Sequence, residues 1–293
     1  YGDHRDLHLP IRRQRQMCIR DRVSYMKKVG LIGFGRIGSS LYEKINSTED
    51  VRVSLVYEMV EELTKDLDSK IIAESPDDFF NQDLDLVIEA ADFRAVSTIA
   101  LKVLEGIDML ILSAAGLADE KVEQALYQKT EQNKTKFYIP HGALLGMDGF
   151  QDARTAFDEI TITTVKPPKN LDYRFQDKWT QDELTERTVL HDGNTREVCK
   201  MFPRNVNAHA VLAISSLGFD RTKSVIIADP ESKLASHHIV AKGGDSITEI
   251  IQSSPIKGVT GEFTLLSVYG TILRILQDRK AVSYTHLTLP TNR

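Results

Sequence analysis

Apolar positions in the first half of the chain fall into short runs separated by stretches of helical period. Val29-Gly30-Leu31-Ile32 is a compact apolar run, and Ser39 to Ile45 follows with helix spacing. Val51 to Tyr57 alternates and then turns apolar. Asp85 to Glu89, Met109 to Ser113 and Lys136 to Pro140 repeat the strand signature, with helical stretches at Ala95 to Leu104 and Glu120 to Gln128 between them. Strands alternating with helices predict a parallel, doubly wound sheet. Ligands of such sheets sit beyond the C-terminal strand ends, where this chain has Glu89-Ala90-Ala91 and Ser113-Ala114-Ala115-Gly116.

The pattern changes after Pro140. After Gly146-Met147-Asp148 a helix is predicted to run to Phe157, and Glu159 to Val165 alternates as a strand with one exposed face, ending at Lys166-Pro167-Pro168-Lys169. Asn170 to Asn194 reads as polar and irregular, with Trp179 on a loop packed over its neighbours. Ser224 to Ala228 and His238 to Ala241 read as strands around an Asp229-Pro230 turn. Ile247 to Ile251 and Glu262 to Gln277 read as helices, the second strongly apolar on one side and expected to close on the first domain. The expected division is a nucleotide-binding domain over 26–140, an α+β catalytic domain with a mixed sheet over 141–245, and C-terminal helices over 246–280. Residues 1–25 and 281–293 read as foreign to the fold. The first carries six arginines and no lysine, and Val23-Ser24-Tyr25 recurs as Val282-Ser283-Tyr284. A basic targeting peptide is the competing reading of the first segment, opposed by Asp3, Asp6 and Asp21.

Gly33-Phe34-Gly35-Arg36-Ile37-Gly38 sits between the first strand and the first helix, the context that gives G-x-G-x-x-G its meaning. Gly33 suits the tight turn, Gly35 the approach of backbone to a pyrophosphate, and Gly38 close helix packing; this is the signature of a Rossmann domain. The free N–H groups at the helix start favour phosphate. Glu58 ends the second strand, where a carboxylate accepts both ribose hydroxyls of NAD and repels the 2′-phosphate of NADP. Arg36 softens that preference by offering a phosphate partner, so NADP remains open as a cofactor.

Composition adds exclusions. Charged residues make up 27% of the chain and hydrophobic ones 41%, a globular profile. The net charge of -5 gives no general attraction to nucleic acid or anionic membrane. No apolar run approaches the roughly 20 residues of a membrane span. Two cysteines, Cys18 and Cys199, make neither a disulfide framework nor a metal spacing, and a cytoplasmic setting is expected. No metal site is expected.

The reaction must be sought in Phe202-Pro-Arg-Asn-Val-Asn-Ala-His-Ala210 and in His237-His238. Histidine suits proton transfer because its ordinary pKa of about 6.5 lies near working pH. On a strand the two members of the pair face opposite ways. Asn207 also suits a helix N-cap, since an apolar helix follows. His141 and His209 are further candidates for lining the site. Lys166, Lys169, Arg196 and Arg204 are cations near these segments.

The chain resembles the L-aspartate dehydrogenase family across nearly all of residues 27–277. The resemblance rests on Gly33-x-Gly-x-x-Gly38, Val87-Ile-Glu-Ala-Ala91, Leu112-Ser-Ala-Ala-Gly-Leu-Ala-Asp119 and His141-Gly-Ala-Leu-Leu-Gly-Met-Asp148. It continues through Lys166-Pro-Pro168, Thr195-Arg-Glu197, Phe202-Pro-Arg-Asn-Val-Asn207, Ala228-Asp-Pro230 and His237-x-Ile239. It implies oxidation of L-aspartate with NAD or NADP to iminoaspartate, then oxaloacetate and ammonia, in some organisms feeding NAD biosynthesis. It implies His237 as the catalytic histidine, Asn207 and Ala143 as cofactor contacts beside Ile37 of the glycine loop, and a homodimer. His141, Ala208-His209-Ala210 and Ala235 depart from the family pattern. Two alternatives stay open: a related imine or semialdehyde reductase, and a catalytically silent NAD-binding sensor.

Overall fold

The computed structural model describes residues 26–257 and 260–276, so the expectations for both termini lie outside the described residues. Its first sheet is built from β1 (Lys27–Ile32), β2 (Val51–Tyr57), β3 (Leu86–Glu89), β4 (Met109–Ile111) and β5 (Phe137–Tyr138). All four pairings are parallel, in the order β2-β1-β3-β4-β5. Strand order reverses between β1 and β3, and the crevice at that point is the ligand-binding position of such sheets. Helix α1 (Arg36–Asn46) follows β1, and α2 (Glu120–Asn133) precedes β5. Between β3 and β4 the chain is helical in three pieces, Phe93–Ala95, a π-helical turn Val96–Ala100, and Leu101–Val103. Asp92 caps the first piece by accepting from Arg94 N, so the segment starts two residues before the expected Ala95.

The second sheet is mixed. After the short α3 (Met147–Asp152), β6 (Glu159–Lys166) becomes its central strand. The order is β10-β9-β6-β8-β7, where β7 is Thr188–Asn194, β8 Thr222–Ala228, β9 Ala235–Gly243 and β10 Ser246–Ser254. Only β6 and β8 run parallel; the other pairings are antiparallel. Ile160, Ile162, Thr164 and Lys166 are buried while Glu159, Thr161, Thr163 and Val165 are not, the period-2 pattern of a sheet covered on one face. The cover includes α4 (Thr195–Met201) and α5 (Asn207–Ser215), whose Val198, Val211 and Leu212 join the same core as Ile162 and Ile226.

Two expectations fail here. Ile247 to Ile251 is not helical: it lies within β10 and pairs residue for residue with β9, from Ser246 opposite Gly243 to Ser254 opposite Ala235. The segment 246–280 is therefore not wholly helical, and its first part belongs to the second sheet. Ser-Ile-Thr-Glu-Ile-Ile carries β-branched residues that favour a pleated surface, and the turn after Gly243 returns the chain directly beside β9. The stretch Asn170 to Asn194 is likewise not all irregular, because β7 forms its end. The polar Thr-Val-Leu-His-Asp-Gly-Asn sequence of an edge strand hides its alternation, and only Leu190 is buried.

The C-terminal helix α6 (Glu262–Leu276) returns to the first sheet. Its Val268, Ile272 and Leu276 are buried in one cluster with Leu41 and Ile45 of α1 and Val29 and Leu31 of β1. The Thr48 and Tyr269 hydroxyls meet at 2.5 Å on the same interface. Among the described residues no helix is long and apolar enough to cross a membrane, and no cluster of potential metal ligands forms.

Candidate functional site

The glycine loop shows why three glycines are needed. Gly33 has φ +90°, and a Cβ there would lie 2.7 Å from the Ala91 backbone at the end of β3. A Cβ on Gly38 would lie 2.0 Å from the Gly33 carbonyl, so the first turn of α1 rests directly on the loop. At Gly35 a Cβ would meet nothing within 4 Å. That space lies at the α1 N-terminus, which has no side-chain cap. Open room above uncapped N–H groups fits a pyrophosphate. Glu58 is half-buried; its carboxylate accepts from Phe34 N at 2.6 Å and Val60 N at 3.0 Å. The acid thus pins the glycine loop to the end of β2, with further lone pairs for a ribose. Arg36 is exposed at the start of α1 and Ile37 lines the cleft.

Glu89 supports this loop from below. It is fully buried and accepts from Ala91 N, Leu112 N, Ser113 N and Ser113 Oγ at 2.9–3.1 Å. One carboxyl group ties the ends of β3 and β4 together, which shapes the cleft floor. Burial pushes its pKa up to about 7 against the opposing pull of those hydrogen bonds. Its position at a strand end was legible in the sequence, its four donors were not.

The cleft extends from this loop to the second sheet and opens to solvent. The first domain contributes Ile37, Ala90 and Ala91, and the segment after β5 contributes His141 and Ala143. Lys166, Asn207 and His237 line it from the other side. Strand register explains how β6 and β9 meet there. They run antiparallel with Thr164 opposite His237, so both side chains fall on the helix-covered face. Two residues further along β6, Lys166 shares that face.

His237 is 5% exposed, and its Nδ1 lies 2.8 Å from Thr164 Oγ1. Burial, and then the neighbouring Lys166 charge, push its pKa down to about 3. Lys166 is buried, donates to the Asn205 carbonyl at 3.4 Å, and is brought down to about 8 by desolvation. An amine of that kind is still mostly charged at neutral pH in a low-dielectric wall. Arg204 also borders the cleft and pairs with Asp172 at 3.4 Å. Of the other two cations, Lys169 is exposed, and Arg196 is engaged by Asp220 and the Ala118 carbonyl away from this cleft.

Asn207 does not cap its helix. The N-cap position is Val206, and Asn207 Oδ1 instead accepts from Ala115 N at 3.0 Å. The amide therefore joins α5 to the turn after β4, a contact across 92 residues that a local capping rule does not anticipate. His238 faces the opposite side of β9 and pairs with Glu249, as strand alternation predicts. His141 lines the cleft with its pKa lowered by burial and by Arg274. His209 lies wholly buried behind the cleft wall, bonded to Thr164 and Ser224. Thr164 and Ser224 are site residues that sequence reasoning missed, since a hydroxyl on a strand carries no signal of its own.

The comparisons with known proteins agree with this geometry. Residues 148–275 match the family model described as aspartate dehydrogenase, C-terminal, and residues 33–140 match that of the homoserine dehydrogenase NAD-binding domain. An L-aspartate dehydrogenase of Methanosarcina barkeri is 35% identical over 268 residues, covering 86% of this chain and 97% of that protein. One from Nitrosopumilus maritimus is 30% identical over 266 residues, covering 86% and 98%. The crystal structure of aspartate dehydrogenase from Thermotoga maritima superposes with a TM-score of 0.69 at 24% identity, covering 87% of this chain and 99% of that one. With both halves matched in order and a relative this similar along almost its whole length, the chain belongs to the L-aspartate dehydrogenase family.

Proposed function

We propose that this protein oxidises L-aspartate to iminoaspartate with NAD or NADP, the imine then hydrolysing to oxaloacetate and ammonia. The observation that carries this reading is the placement of His237 and Lys166, both buried, in one cleft with Ala90 and Ala91 at the end of β3. The curated relatives are L-aspartate dehydrogenases, which favours this reading over the reductase and sensor alternatives.

The nicotinamide cofactor supplies the acceptor for the hydride that leaves the substrate Cα. Gly33, Gly35 and Gly38 would hold its phosphates together with the α1 N-terminus. Glu58 would take the ribose hydroxyls and favour NAD, with Arg36 at hand for a 2′-phosphate. Ile37, Ala143 and Asn207 would line the remainder of its path. Lys166, with Arg204 at the rim, would hold the substrate carboxylates by charge-assisted hydrogen bonds. His237 would take the proton from the substrate ammonium at its free ring nitrogen. A carboxylate held at Lys166 neutralises one of the two causes that depress His237, so the imidazole becomes a stronger base when substrate is bound.

The test is dinucleotide reduction followed by absorbance with L-aspartate at alkaline pH. Turnover is expected with both cofactors and a higher kcat/KM for NAD. Turnover of a different amino acid with none of aspartate overturns the substrate assignment.

We also infer a cytoplasmic homodimer. Support comes from the family resemblance, the buried free thiol of Cys199, and the uncovered face of the second sheet. There Ile247 and Ile251 of β10 are 69% and 66% exposed, an apolar patch suited to association. Light scattering should give twice the chain mass; a monomer at micromolar concentration removes the dimer.

A further inference from the structure

Behind the cleft wall, the buried side chains between β6, β8, β9, α4 and α5 form one unbroken series of hydrogen bonds. Thr195 Oγ1 donates to the Thr222 carbonyl at 2.9 Å and lies 2.8 Å from Ser224 Oγ. Ser224 Oγ lies 2.9 Å from His209 Nδ1. His209 Nε2 lies 2.6 Å from Thr164 Oγ1, which lies 2.8 Å from His237 Nδ1. Thr195, Ser224 and His209 have no exposed surface, and Thr164 has 1%.

The direction of every bond follows from the far end. A carbonyl oxygen only accepts, and a hydroxyl has a single proton to give. The Thr195 proton goes to Thr222, so Ser224 donates to Thr195. Ser224 must then accept, which places a proton on His209 Nδ1. His209 is neutral because burial holds its pKa well below the usual histidine value. Its Nε2 is therefore a lone pair and accepts from Thr164. Thr164, its proton so engaged, accepts from His237 Nδ1–H.

We propose that this series fixes the tautomer of His237, with the proton on Nδ1 and a bare Nε2 turned to the cleft, and that His209 and Thr164 are positioning residues for it. His237 Nε2 has no partner among the described residues. The inference rests on the reading of His237 as the base, since in the opposite tautomer an N–H would meet the substrate. The series ends in a backbone carbonyl, which takes up no proton. It therefore orients and does not conduct, and the proton that His237 accepts leaves through the cleft. Reversing every bond would leave the buried Thr222 carbonyl without its Thr195 donor, at a cost of about 1–3 kcal/mol.

The test is a two-bond proton–nitrogen correlation spectrum of the full chain labelled with 15N-histidine, between pH 6 and 9 and without substrate. The His237 signals are identified by their loss in His237→Ala. A neutral ring with Nδ1 protonated and Nε2 pyridine-like is expected; the Nε2–H tautomer overturns the proposal whatever the activity. Thr164→Val, which keeps shape and removes the hydroxyl, should abolish the tautomer preference. It should also lower kcat by roughly 10- to 100-fold, with KM for NAD unchanged. Thr164→Ser should restore both. If Thr164→Val does not fold, His209→Gln and His209→Ala serve in its place, because the glutamine amide offers one acceptor and one donor while alanine offers neither. A valine or alanine variant that keeps both the Nδ1–H tautomer and the wild-type kcat overturns the positioning role. Loss of activity in His237→Ala bears on the base assignment alone, so the two readings fail separately.

Discussion

Replacing His237 by alanine is expected to lower kcat by roughly 10²- to 10⁴-fold, the usual contribution of a positioned general acid or base. The fold should survive. The substitution removes a buried imidazole whose Nδ1 contacts Thr164 and leaves a cavity facing the cleft. The pH dependence sharpens the test. His237 has its pKa pushed down to about 3 by burial and the Lys166 charge. The free enzyme therefore holds it neutral across the neutral range, and kcat/KM should show no acid limb near pH 6.5 from this residue. Stability carries the opposite information. Below pH 6.5 the unfolded chain binds a proton at this histidine that the folded chain refuses, so stability is lost progressively as pH falls from 6.5 toward 3. His209, also depressed, acts in the same direction. His237→Ala should be less sensitive to acid in a denaturant titration over that window. Near-normal kcat in this variant removes His237 from the mechanism and points to Lys166, an amine brought to about 8 in the same cleft, as the base.

Lys166→Met should separate binding from stability. If the ammonium holds a substrate carboxylate, its loss should raise KM for aspartate by about 10- to 100-fold, as for a hydrogen bond to a charged group worth about 1.5–3 kcal/mol. KM for NAD should not follow. In the unsubstituted enzyme, KM for aspartate should rise as pH passes about 8, where burial makes the amine lose its proton. The folded state is the reverse case. Burial depresses this lysine below its unfolded value, so keeping it charged costs stability below pH 8, and stability recovers as pH rises from 8 to about 10.5. Lys166→Met should therefore melt higher than wild type at pH 7, and that difference should shrink above pH 8. A variant with unchanged KM for aspartate and a lower melting temperature shows that the lysine is structural, held by its contact to the Asn205 carbonyl.

Both predictions depend on residues whose sequence signal differs greatly. His237 stands out through the motif around it and is supported by strand alternation, which sends His238 to the far side of β9. Lys166 ends a strand in the segment Lys166-Pro-Pro168, but the sequence alone assigned neither it nor the neighbouring Lys169 a place in the cleft. Burial decides: one is 4% exposed and lines the cleft, the other lies outside. Asn207 shows the converse, a residue that does line the cleft while the local capping explanation for it fails. Its side chain ignores its own helix and holds Ala115 N instead.

The sequence by itself determined the glycine cradle, the acid at the end of β2, the parallel first sheet and the closing apolar helix. These are local patterns, in which period, spacing and turn chemistry act within a few residues of one another. It misread Ile247 to Ile251 as helical because a short β-branched run becomes a strand only when a neighbour offers backbone partners, and β9 supplies them. Only the tertiary structure decided which polar groups face one another inside the second domain. Thr164 and His237 are 73 residues apart and meet through strand register, while His209 reaches them from a helix packed across the sheet. Register and packing are long-range choices driven by burial of one whole sheet face. That is why the cleft's histidine was legible in the chain and the buried hydrogen bonds that orient it were not.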